Sequence, residues 1–361
     1  MKKHVGVALL IFTLTASQLL WAADELTERK NVADTAKKLL VASEFTKLDK
    51  MADDYRIRKS RTSSGLWKLS LVYAGIEGAF TKKVKSPDAA KAKSSAPSSV
   101  PETEKAASKE KDTDCHCDYP KLEARIALWE KRYPNSPAAH IAQADILIAH
   151  GWSIRGIEMA HKVPAEAWAP FHRYLSMARE HLEQFKSVSS VDPTWYEMML
   201  TIAFAEGWKR EEFDSLFNEA VSREPGNYET YFKALSYLLP MWHGDIDQVE
   251  SFAEDAVKRT ANQEGQSMYA RIYWSAHQIH FTHLFRNTRA KWPRMKAGFE
   301  DIMARYPDSW NLNNYAFFAC EANDMATAKE LLSRIGKDVI VAAWEPYSTY
   351  ERCTANLSTT H

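Results

Sequence analysis

The sequence predicts an all-α chain built as an α-solenoid, a stack of helical hairpins. Three observations predict it. Only 12 Gly stand against 12 Trp, 15 Tyr and 15 Phe, so many large rings must be buried and few tight turns are available. From Asp118 onward, apolar residues recur at three- and four-residue steps between Pro-marked breaks, which is the period of amphipathic helices. No run of alternating β-branched residues is long enough to support a sheet.

Taken in order, residues 1–23 read as a signal peptide. Lys2 and Lys3 precede an apolar run from Val5 to Trp21, and Ala22 and Ala23 supply the small residues of a cleavage site. A retained membrane anchor is the alternative, because the run is near the lower limit for a span. Residues 24–80 are expected to form N-terminal helices: Phe45, Leu48, Ala52 and Tyr55 share one face, and Leu66, Trp67, Leu69, Val72, Tyr73 and Ile76 follow a break at TSSG. These are too few for an independent domain, so they should pack on the later array. Residues 81–117 read as a disordered low-complexity linker. The stretch 81–114 has no aromatic residue and little that is apolar beyond Ala and Val, too little to offset the entropy of ordering.

Residues 118–355 carry the helical array. YPNSP, DPTW, EPGNY, KWPRM and YPDSW each place Pro where a helix can begin. Asp192 is a predicted N-cap, and Asp245 with Gln248 a capping box. Pro193 and Pro225 bracket two apolar helices divided by EGWKRE. In the second, Phe213, Phe217 and Ala220 are spaced four then three, and the same spacing returns at Val249, Ala253 and Ala256 and at Ala328, Leu332 and Ile335. A hairpin of this kind leaves an apolar face open at each end and needs neighbours to cover it.

At these residues the chain resembles tetratricopeptide repeats, helical hairpins of about 34 residues. The first-helix Gly of that family is Thr201 in one copy and Ala316 in another. FTKLDKMADDYR, GLWKLSLVYAGI, HGWSIRG, YARIYWS and YPDSWNLNNYAFFACEANDMATAKELL further resemble an exported bacterial family catalogued as domain of unknown function 4034. That likeness implies a fold and no activity. The repeat resemblance implies a concave surface lined by first helices. Carried over residue by residue, it points to Trp195, Met198, Met199, Lys233, Trp310, Asn313 and Asn314. Asn313 and Asn314 weigh most, amide side chains being expected to face a peptide backbone rather than a core.

Lys plus Arg and Asp plus Glu number 47 each, so no large field favours nucleic acid. There is no Gly-rich phosphate loop and no GxSxG elbow. His277, His280 and His283 fall at three-residue steps. On one continuous helix His277 lies mid-stripe on the apolar face, while His283 lies about 9 Å along the axis, so the three cannot converge on one ion. The expectation is a buried, hydrogen-bonded ring and no metal or cofactor. Cys115 and Cys117 are too close together, without a matching second pair, to make a strong metal motif. Cys320 and Cys353 lie about one repeat apart and are a possible disulfide if the last segment is helical, the alternative being two buried thiols.

The expected function is therefore binding of a protein or peptide partner by an exported, periplasmic or secreted scaffold, with no nucleic acid and no membrane span after signal removal. A metal-assisted or carboxylate-driven hydrolase on the same frame is the alternative. A structural module of a larger envelope assembly is a third.

Overall fold

The computed structural model describes residues 25–85, 113–156 and 158–358. The expected signal peptide and residues 86–112 of the expected linker lie outside them. Fifteen helices of two turns or more carry the described fold: α1 Glu25–Val41, α2 Phe45–Arg58, α3 Lys68–Glu77, α4 Tyr119–Arg132, α5 Pro137–Arg155, α6 Ala165–Gln184, α7 Thr194–Glu206, α8 Arg210–Arg223, α9 Tyr228–Leu238, α10 Ile246–Glu264, α11 Ser267–Ile279, α12 Trp292–Arg305, α13 Ser309–Glu321, α14 Met325–Ile335 and α15 Ser348–Ser358. No described helix is long and apolar enough to cross a membrane.

The linker reading needs correction at both ends. Thr81–Lys85 (β1) and Thr113–Cys117 (β2) pair as an antiparallel ribbon, with Thr81 opposite Cys117 and Lys85 opposite Thr113. Backbone pairing orders these residues without an apolar core. Lys121 and Arg125 of α4 hold the ribbon's base, both lying over the Phe80 ring.

Helix starts follow the polar signals. Asp118, Ser136, Asn227, Asp308 and Asp324 each accept a hydrogen bond from a backbone N–H in the first turn that follows. Asp245 accepts from the Asp247 and Gln248 N–H groups, and the Gln248 amide returns to the Asp245 side chain. Asp192 accepts from the Thr194 N–H at 2.9 Å and is wholly buried, also taking the Tyr73 hydroxyl at 2.8 Å.

From α4 to α14 the helices pack largely on their neighbours in chain order: α4 on α5, α5 on α6, α7 on α8 and α9, α10 on α11, α11 on α12, and α13 on α14. Of the nine residues in the recurring triplets, all but Leu332 are buried. Two apolar cores result, one joining α1–α3 to α4–α7 and the other running from α7 to α15, with Trp152, Ala205, Trp208 and Leu216 packed against both.

Helix α1 carries no signal that the sequence reading used, yet it fixes the architecture. Val32, Ala36 and Leu40 form its buried stripe, and Gly75 of α3 admits its backbone so closely that a Cβ there would lie 2.2 Å from the Ala33 carbonyl oxygen. Near its C-terminal end, Arg125 of α4 donates to the Leu40 carbonyl at 3.2 Å. Near its N-terminal end, the Arg29 guanidinium lies 5.3 Å above the Trp310 ring of α13. Those contacts are about 16 Å apart along the axis at 1.5 Å per residue. The helix series therefore bends round until its first and penultimate hairpins stand within one helix length of each other. The turn between α2 and α3 reinforces this closure, since the Ser64 carbonyl accepts from Arg271 of α11 at 2.9 Å and from Asn311 of α13 at 3.2 Å. At its far end the chain is stapled: Cys320 of α13 and Cys353 of α15 form a disulfide with Cα atoms 5.8 Å apart.

Candidate functional site

Helices α5 and α7 are apolar nearly all round; α5 carries one carboxylate, Asp145, near its middle, and α7 carries Glu197 in its first turn and Glu206 at its end. Glu77 at the end of α3 and Glu229 in the first turn of α9 complete an acidic set. Their helices adjoin, α3 packing on α5, α5 on α7 and α7 on α9. Lys233, one turn beyond Glu229, acts electrostatically on all four. Glu77 is exposed and Asp145, Glu229 and Lys233 are half-buried, so water reaches them although protein surrounds them on several sides.

Protein packed around the set displaces water and raises the pKa of every carboxyl in it, Glu77 included although its side chain keeps solvent contact. Asp145 is pushed up to about 7 by desolvation and by the Glu77 charge, with Lys233 opposing. Glu197, buried and accepting from Asn227 at 2.5 Å, is pushed up to about 8 by desolvation and then by Glu229. Glu77 and Glu229 are raised for the same first reason, with Lys233 pulling both back. Among the described residues the side chains of Glu77, Asp145 and Lys233 make no hydrogen bond or ion pair, although Lys233 acts on both carboxyls and Glu77 acts on Asp145.

The surface continues past Glu229 into a cavity of ≈ 280 Å³ lined by Arg29, Phe232, Arg271, Trp274 and Trp310. Its arginines are engaged: Arg29 pairs with Glu25 at 2.5 Å, and buried Arg271 lies 4.6 Å above the Tyr228 ring. Trp274 and Gln278 line this cavity and also a second one of ≈ 830 Å³, which reaches His277, Asn314, Phe317 and Tyr347. The two cavities thus meet at α11 and form a trough along α9, α11 and α13.

The seven residues implied by the repeat resemblance divide unevenly. Lys233 fronts the acidic stretch, Trp310 lines the smaller cavity, and Asn314 edges the larger one while donating to the Trp310 carbonyl at 2.8 Å. Trp195, Met198 and Met199 are buried, and the Trp195 indole N–H is used by the Leu182 carbonyl at 2.9 Å. Asn313 overturns the expectation that an amide has no place in a core. It is wholly buried, its amide donating to the Ser309 and Asp338 carbonyls and its oxygen accepting from the Ile340 N–H and the Trp344 indole at 3.0 Å each. Every hydrogen-bonding position on it is used within the protein.

The histidine run also needs correction. α11 ends at Ile279, so the three rings do not share one helix. His277 is half-buried against Phe317 and Phe318, with Nδ1 2.7 Å from the Phe281 carbonyl. His280 and His283 are exposed in the turn beyond.

Sequence reasoning missed Glu77, Asp145, Glu197 and Glu229, though a signal was present: single acids inside the apolar runs GIEGAF, ADILIAH and WYEMML. It also missed Glu130, His140 and His181, which lie 51 residues apart at the extremes and have no motif spacing. No family model, curated protein or solved structure matches this chain.

Proposed function

We propose that this protein is an exported helical-repeat scaffold, a solenoid of hairpins akin to tetratricopeptide repeats, that binds a protein or peptide in its inner trough. The occupant is an extended segment bearing a Lys or Arg side chain. One observation carries the reading: exposed Glu77 and half-buried Asp145 and Lys233 act on one another through their charges, with no side-chain hydrogen bond or ion pair among the described residues. An incoming cation relieves the repulsion between Glu77 and Asp145, and the aromatic cavity beyond Glu229 offers apolar contact to neighbouring side chains. The Cys320–Cys353 bond supports export, because such bonds persist in oxidising compartments.

The test is fluorescence anisotropy with two sets of extended peptides, matched in length and differing in Lys or Glu content. Lys-bearing peptides should bind more tightly. The double variant Glu77→Gln with Asp145→Asn should weaken them about tenfold or more while melting no lower than the parent. Equal affinity for both sets, or no effect of the double variant, overturns the assignment.

A second reading has its own support. A carboxyl titrating near neutrality beside a second carboxylate is the equipment of a carboxylate-driven hydrolase. Turnover of cell-wall glycan by the parent chain, abolished by Asp145→Asn, would favour that reading over binding alone.

A further inference from the structure

Away from the trough, three side chains from three helices converge. Glu130 lies in the last turn of α4, His140 in the first turn of α5 and His181 in the last turn of α6. One oxygen of Glu130, Oε1, lies 2.9 Å from His140 Nδ1 and 2.8 Å from His181 Nε2. All three ligand atoms fall within 4.8 Å of one another. The geometry points to a binding site for one divalent transition-metal ion of the zinc type, held by Glu130, His140 and His181, with water in the fourth position.

Four features support it. The donor set, two imidazoles and one carboxylate, is one that zinc accepts with a position left open. His140 Nε2 donates to the Pro134 carbonyl at 2.8 Å, which leaves Nδ1 as the nitrogen aimed at the cluster; Nδ1 donates to Glu130 Oε1 at 2.9 Å, and a metal ion would take the place of that proton. A ligating histidine is commonly fixed by a backbone carbonyl on its far nitrogen in just this way. His181 Nε2 is buried and close to Oε1, yet the contact is not aligned as a hydrogen bond, leaving that nitrogen without a hydrogen-bonding partner. The rings are also held in place: Phe185 stacks on His140 with centroids 3.8 Å apart and leans on His181 at 4.8 Å.

Size is compatible. Bonds of about 2.0–2.1 Å at tetrahedral angles separate neighbouring ligand atoms by about 3.3 Å. The observed separations of 2.8 and 2.9 Å therefore open by roughly half an ångström, and the two nitrogens, within 4.8 Å of each other, close by up to about 1.5 Å, through small rotations of the three side chains at their helix ends. Solvent access exists as well, since the Glu130 and His181 side chains are 18% and 17% exposed.

The test uses the untagged full chain stripped with a chelator. Calorimetric titration with Zn²⁺ alone should show one equivalent bound, and Co²⁺ should give the visible absorption of a tetrahedral nitrogen and oxygen site. His181→Ala and Glu130→Gln should each weaken Zn²⁺ about tenfold or more, whereas His280→Ala with His283→Ala should change nothing. Should a ligand variant fail to fold, the parent's Co²⁺ spectrum still decides. The inference is overturned by the absence of stoichiometric Zn²⁺ binding, by an octahedral Co²⁺ spectrum, or by binding that survives both ligand variants unchanged.

Discussion

Single residues in this protein are governed by what burial does to a polar group. Glu197 is the sharpest case, sitting among Trp195, Tyr196, Met198 and Met199 in a buried turn of α7. Its carboxyl is pushed up to about 8, above the ordinary value near 4.5, so the fold favours the protonated acid. The stabilisation relative to an ionised carboxylate is complete below the unfolded value and is lost as pH rises through about 8. Urea denaturation at pH 5 and pH 8 should show the parent losing stability relative to Glu197→Gln, by an amount of order a few kcal/mol. No relative loss across that window would show that the carboxyl ionises freely. Asn313 shows the limit of reading a residue from its type. Its amide looked like a groove residue because Asn is seldom buried, but burial is permitted once every donor and acceptor is matched. Those partners, Asp338, Ile340 and Trp344, come from a loop whose position the sequence does not announce.

At the scale of elements, apolar periodicity and capping residues made most of the helices legible. The triplets in α8, α10 and α14 and the starts at Ser136, Asp245 and Asp308 were readable because their causes are local. Three features were not. α1 has few apolar residues and is held by tertiary contacts rather than by a strong amphipathic pattern. The β1–β2 ribbon depends on backbone pairing between segments separated by the intervening chain. The end of α11 at Ile279 has no Gly or Pro to mark it. The last helix, α15, is tied to α13 by Cys320–Cys353, which closes a loop of 33 residues. Loop-closure entropy for that length amounts to about 3–4 kcal/mol. Cys353→Ser should therefore lower stability by an amount of that order and raise hydrogen exchange in α13 and α15 before other helices. An unchanged exchange pattern would mean that packing around Trp344 holds this end without the bond.

The whole molecule departs from an open stack because its N-terminal unit is part of the core. Val32, Leu40, Leu48, Leu69, Val72, Tyr73 and Ile76 are buried in one cluster with Leu122, Ile126, Trp129 and Ile141. That is several side chains, each contributing about 1.5–3 kcal/mol by burial. Residues 25–85 and 113–358, produced as separate chains in one cell, should copurify and melt in one cooperative transition. Recovery of a folded 113–358 alone would assign α1–α3 to an independent unit. That these helices pack on the later array could be expected from their small number; that α1 reaches both α4 and α13 could not, because no local sequence signal encodes contacts between helices so far apart in the chain.

Helix α1 touches both α4 and α13. The helix thus stands as a strut between two parts of the chain that are far apart in sequence. Moving α4 and α13 apart must part Arg29 from Trp310 or Arg125 from the Leu40 carbonyl. The spacing of α4 and α13 is thereby tied to the length of a single helix.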